Sequence, residues 1–201
     1  MLGSLPVILA LALVLAAEGR PLFYWGARPA LVTLKEPATR SEEAVVLELH
    51  AAPDQGDLVM RFSFDRPVRE ALWLPDGTPV SGRLKAVVYI DTDDDRRTGT
   101  QEGSSDLRTG AERRIELSAL AMGEDAEEHR AATALVAATL HGLTQEGRRR
   151  TLWRADSELP NRVSVRAEFV ELRVPADRVG AEARCRFILV SGEDVRDGRL
   201  E

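Results

Sequence analysis

Four carboxylates fall within five positions, directly after an apolar run, in VVYIDTDDDRRTGTQE (Val87 to Glu102). Asp91, Asp93 and Asp95 alternate there, and a loop with that spacing can turn three carboxylate oxygens toward one point. Like charges crowded this way cost free energy unless something positive cancels them. Hard oxygen donors suit Ca²⁺, which takes about six to eight ligands at roughly 2.3–2.6 Å, better than Mg²⁺, which demands a tighter octahedron and keeps more water. Arg96 and Arg97 follow at once, so a solvated acidic turn laced with ion pairs is the competing reading.

An EF-hand is the nearest familiar pattern, with acids at loop positions one, three, five and, at Glu102, twelve. It fails because Arg96 stands where the sharp-turn glycine belongs, the preceding segment is strand-like, and no helix follows Glu102. The stretch VVYIDTDDDRRTG…TGAERRIEL instead resembles the yiDtDxnxxTG…GaDyxIE signature of the DOMON-like and family-9 carbohydrate-binding-module group of exported β-sandwiches. FVELRVPADRVG is similar to that group's weveIPlsxL strand, and the resemblance spans about Val45 to Ser191. It implies a structural Ca²⁺ held by Asp91, Asp93 and Asp95, with Glu112 standing where the family has Asp, Thr98 adding an oxygen and Gly99 making the turn. The chain departs from the pattern at Glu112, at Arg96 and Arg97, and in the longer TQEGSSDLRT segment.

Other constellations are weaker. His50, His129 and His141 lack metal-ligand spacing, and the chain has no GxSxG, HExxH, CxxC or phosphate loop, so no catalytic residue is assigned and a non-catalytic protein is expected. Trp25, Trp73 and Trp153, with Tyr24, are material for stacking against a sugar. Trp73 and Trp153 are the candidate ligand-binding residues, although core packing is the commoner use of such rings. Some DOMON-like relatives carry haem on a Met paired with Lys or His. Met60, Lys85 and His50 are available here, which makes a haem electron-transfer module the alternative function.

The elements that must hold the acidic loop read as strands. Leu58, Met60, Phe62 and Phe64 alternate, as do Val45, Leu47 and Leu49, while LKAVVYID is apolar on both faces like a central strand. Further strands are expected at Glu112–Leu120, Thr133–Leu143, Arg148–Ala155 and across RCRFILV, with a short helix at Glu124–Ala132. A phase switch predicts a bulge or bend near Phe169–Val170. Eight or nine strands with Gly/Pro turns imply an all-β fold: an antiparallel, jelly-roll-like β-sandwich with at most one short helix.

Composition narrows the setting. The chain has 201 residues, 44% of them hydrophobic, and a net charge of −6, which disfavours nucleic acid as a partner. The apolar run Leu5–Ala17, shorter than the roughly 20 residues of a membrane span, followed by Glu18-Gly19-Arg20-Pro21, reads as a signal peptide over 1–19. Membrane contact is expected only if that segment stays uncleaved. A lead-in at 20–43 and one sandwich at 44–201 complete the organisation. Cys185, the only cysteine, leaves no internal disulfide and reads as a buried filler. The expectation is a secreted or periplasmic binding module with a structural calcium site, its ligand a carbohydrate or an extracellular protein.

Overall fold

The computed structural model describes residues 20–34, 42–100, 110–122, 133–180, 185–191 and 194–200. The helix expected at Glu124–Ala132 and the apolar leader at 1–19 lie outside these residues.

Two antiparallel sheets enclose one core. The first, five-stranded, runs in the order β1 (Val32–Thr33), β2 (Val46–Asp54), β3 (Asp57–Phe64), β9 (Phe169–Pro175), β8 (Val163–Val165). The second, six-stranded, runs β11 (Asp194–Arg199), β10 (Arg186–Ser191), β4 (Lys85–Asp91), β5 (Arg113–Met122), β6 (Thr133–Leu143), β7 (Arg149–Asp156). Pairing of β3 with β9 and of β4 with β10 joins the early part of the chain to its last third.

The alternation read from β3 holds. Leu58, Met60, Phe62 and Phe64 point into the shared core, where they meet Val170 and Leu172 of their own sheet and Val88, Leu117, Leu140 and Phe187 of the other. Cys185 is fully buried in the same interior. β4 is central, as its doubly apolar pattern implies: Ala86, Val88 and Ile90 face the core, while Tyr89 packs outward with Ile188 and Ala111.

Four differences from the sequence reading have local causes. Val46 joins Leu49 in the core while Leu47 is only half-buried, because a β-bulge between Val46 and Glu48 resets the alternation. The segment AAPDQGD (51–57), whose composition reads as a turn throughout, is mostly strand, and its turn is only Gln55 and Gly56, both at positive φ (50° and 84°), as a two-residue hairpin loop of matching twist requires. The phase switch at Phe169 is a hairpin rather than a bulge. β8 and β9 pair as Val165↔Val170, so the change of face is a change of strand.

Finally, the described residues hold two short helices where at most one was expected: α1 (Val68–Leu72) and α2 (Ala176–Val179). Each follows a proline, and α2 ends on Gly180 at φ 71°. Each buries apolar side chains in the core: Val68, Ala71 and Leu72 from α1, and Val179 from α2.

The lead-in is also part of the fold. β1 pairs with β2, and Leu22, Phe23 and Trp25 pack on Ala52 and Val59 of the five-stranded sheet's outer face.

Phe62 and Phe187 are among the largest fully buried side chains, one on each sheet. Phe187→Ala is expected to cost about 3–5 kcal/mol of unfolding free energy through lost burial and a residual cavity. Equilibrium denaturation in urea would measure it, and a loss below about 1 kcal/mol would mean that the two sheets do not share this core.

Candidate metal centre

The site is built where β4 ends. Asp91 is the last residue of β4 and pairs in register with Arg186 of β10. The chain then loops out and returns at Thr100, which bridges to Ala111 and takes its carbonyl at 2.9 Å, placing Glu112 at the entry to β5. Two glycines permit this close return. A Cβ on Gly99 (φ 62°) would lie 2.5 Å from Glu112 Oε1 and from the Gly110 carbonyl, and one on Gly110 (φ 61°) would lie 2.6 Å from Arg96 Cα.

Asp91, Asp93 and Glu112 each present one carboxylate oxygen, and these oxygens all lie within 4.8 Å of one another. Burial grades across the set: Asp91 is fully buried, Glu112 partly and Asp93 exposed. Glu112 Oε2 accepts from the Thr92 N–H at 2.8 Å and the Thr92 hydroxyl at 3.0 Å, which fixes its orientation. Thr98 Oγ1 lies 2.9–3.1 Å from four acceptor oxygens: both of Asp93, the Asp95 carbonyl and Glu112 Oε1. One hydroxyl proton can serve only one of them. The remaining oxygen–oxygen approaches call for positive charge.

Asp95 departs from the expected trio. Its carboxylate accepts the Arg97 N–H at 3.0 Å, and Asp93 likewise accepts the Asp95 N–H at 3.0 Å, so the loop is a succession of Asx turns. Asp95 therefore offers its backbone carbonyl, not its carboxylate, toward Thr98.

The counter-charge comes from a residue the sequence reading did not single out. Arg186, 3% exposed, donates to Asp91 Oδ2 from Nη2 at 2.7 Å and from Nε at 3.2 Å. It also lies 3.8 Å from Asp94 and 3.6 Å from Asp197. Arg199 holds Asp94 at 3.2 Å, and Arg96 reaches out to Asp197 at 3.5 Å. Arg96, which the competing reading would fold back onto the loop acids, instead reaches β11 through Asp197. The available signal was Arg186 itself, a charge opening the otherwise apolar run RFILV.

Asp91 Oδ1 is buried and has no hydrogen-bond partner among the described residues. Burial pushes the Asp91 carboxyl above its ordinary range, and Arg186 only partly opposes this. Asp93 is drawn below its ordinary range, chiefly by the Asp95 N–H. Three carboxylates thus gather around one buried guanidinium, and the cluster carries an excess of acidic groups. The donors are all hard oxygens, the kind taken by Ca²⁺, Mg²⁺ or Mn²⁺.

The other candidates fall elsewhere. Trp73 follows α1 and Trp153 lies on the edge strand β7; both are half-buried and pack against the main core. Met60 is fully buried between the sheets, and Lys85 is exposed and paired with Glu43 at 3.5 Å. His50 and His141 lie on different sheets, and His129 lies outside the described residues.

Comparison with protein-family models, with curated proteins and with solved structures yields no match to this chain.

Arg186→Met would strand a buried Asp91 carboxylate without its guanidinium. The expected cost is about 3–5 kcal/mol in chemical denaturation, the range for breaking a buried pair. A cost within about 0.5 kcal/mol would show that Asp91 is solvated in the folded protein.

Proposed function

We propose that this chain is an exported, non-catalytic binding module whose acidic loop is held in shape by one Ca²⁺. The carrying observation is Asp91 Oδ1, a fully buried, unpartnered carboxylate oxygen in a cluster with Asp93 and Glu112. A buried polar atom without a partner is costly, and a coordinated cation removes that cost while offsetting the repulsion around it. The ligands would be Asp91, Asp93 and Glu112, with Thr98 Oγ1 and the Asp95 carbonyl as further oxygens of the same pocket. The local motif shared with the DOMON-like group supports calcium over the other hard cations, and the apolar run Leu5–Ala17 supports export. The ion's role is that of a clasp: it stiffens the loop between two central strands, and recognition belongs to other surfaces of the sandwich. The half-buried indoles of Trp73 and Trp153 are the carbohydrate-stacking candidates.

Calcium at about 100 times its dissociation constant should add about 2.7 kcal/mol, which raises the melting temperature by roughly 5–10 °C in a domain of this size. Chelator should reverse the rise, and equimolar magnesium should give a smaller one. Asp93→Asn and Glu112→Gln should each abolish the calcium response, whereas Asp95→Asn, which preserves the Asx turn, should retain most of it. A wild-type melting curve unmoved by millimolar calcium would remove the ion from this reading.

A further inference from the structure

A second set of polar side chains, most of them buried, lies on the outer face of the five-stranded sheet, away from the acidic loop. His50, Arg61, Glu171 and Ser164 stand opposite one another in register across β2, β3, β9 and β8. Glu171 is 0% and Ser164 1% exposed, and His50 is nearly as buried. What covers them is the chain's own segment 20–25, which crosses the face without joining it as a strand.

The sheet holds that segment mainly by its backbone. Glu171 Oε2 accepts the Leu22 N–H at 2.6 Å, and Arg173 Nη2 donates to the Leu22 carbonyl at 2.8 Å. Ser164 Oγ donates to the Arg20 carbonyl at 2.7 Å. Asp54 holds Arg173 in place at 2.6 Å. Carboxylate to N–H and guanidinium or hydroxyl to carbonyl are contacts that any peptide can make.

Side-chain selection enters at one position. Trp25 Nε1 donates to Glu171 Oε1 at 2.6 Å, and its ring packs on Ala52 and Val59 and stands 5.5 Å from the His50 ring. The fit of the segment is nonetheless incomplete. His50 Nδ1 and Arg61 Nε are buried with no hydrogen-bond partner among the described residues, whereas buried polar atoms are nearly always satisfied.

We propose that this face is a peptide-recognition cleft, that residues 20–25 fill it in cis, and that its partner is an extended segment of another protein. That segment would carry Trp three residues after the residue whose N–H and carbonyl are clamped by Glu171 and Arg173. Its further polar atoms would meet His50 Nδ1 and Arg61 Nε. The chain's own segment is then a competitor that sets the threshold for binding.

The test uses the full chain and a fluorescent peptide spanning residues 20–28. Trp25→Ala, which loosens the internal competitor, should bind the peptide at least tenfold more tightly than wild type. Adding Glu171→Gln should reverse that gain at least tenfold. A Trp25→Ala protein that melts cooperatively yet fails to bind would overturn the proposal.

Hydrogen exchange on wild type decides the matter even if that variant misfolds. The Leu22 amide should exchange at least tenfold faster than those of Met60 and Leu172; exchange at the same rate would make residues 20–25 a fixed part of the sandwich and end the proposal. A concentration-dependent wild-type dimer in sedimentation, lost on Trp25→Ala, would assign the cleft to a second copy and overturn the partner proposed.

Discussion

The structure around the acidic loop depends on one buried ion pair. Asp91 and Arg186 face each other across β4 and β10, strands that are adjacent in the sheet but 95 residues apart in the chain. Neither charge would tolerate that burial alone, so β10 must be in place before the loop can take its shape. Arg186 then extends the constraint outward, through Asp94 to Arg199 and through Asp197 to Arg96, tying the loop to the β10–β11 hairpin. The pair uses one Asp91 oxygen and leaves the other turned to a cluster that is still negative. The charge imbalance at the proposed metal centre follows from this geometry.

The same economy appears on the opposite sheet. Glu171 is as deeply buried as Asp91, and both its oxygens, unlike those of Asp91, accept hydrogen bonds, from Leu22 and Trp25 far off in sequence. Apolar burial between the sheets is non-directional and accounts for cohesion. The two buried carboxylates are directional. Each takes its hydrogen bonds from a segment distant in sequence, so each penalises compact arrangements that leave it buried without them.

Apolar patterning was enough to place β3, β4, β5 and β10, because each buries one or both faces against a continuous core, and β6 and β7 were legible as the two arms of a hairpin. It failed where the backbone breaks the alternation. The bulge after Val46 moves the buried set, and the turn between Val165 and Phe169 separates two strands that look like one run with a slip. β11 was missed because Asp194–Arg199 is an edge strand with mostly polar residues and no apolar face to read. α1 and α2 were missed because helices of five and four residues are too short to show a 3.6-residue period.

At the acidic cluster, the grouping of Asp91, Asp93, Thr98 and Glu112 was legible because loop spacing and a local motif suffice to bring them close together. The sequence by itself determined that a carboxylate-rich loop would leave the end of a central strand and that an all-β sandwich would carry it, since both follow from short-range patterns of charge and alternation. Only the tertiary structure decided that Asp95 would turn its carboxylate back to the Arg97 N–H and that Arg186, rather than Arg96 or Arg97, would neutralise Asp91. It likewise decided that Trp25 would cap a buried Glu171. The physical reason is that counter-charge and burial are set by which strands become neighbours, and strand neighbours in this fold lie as far apart in the chain as Asp57 and Pro175.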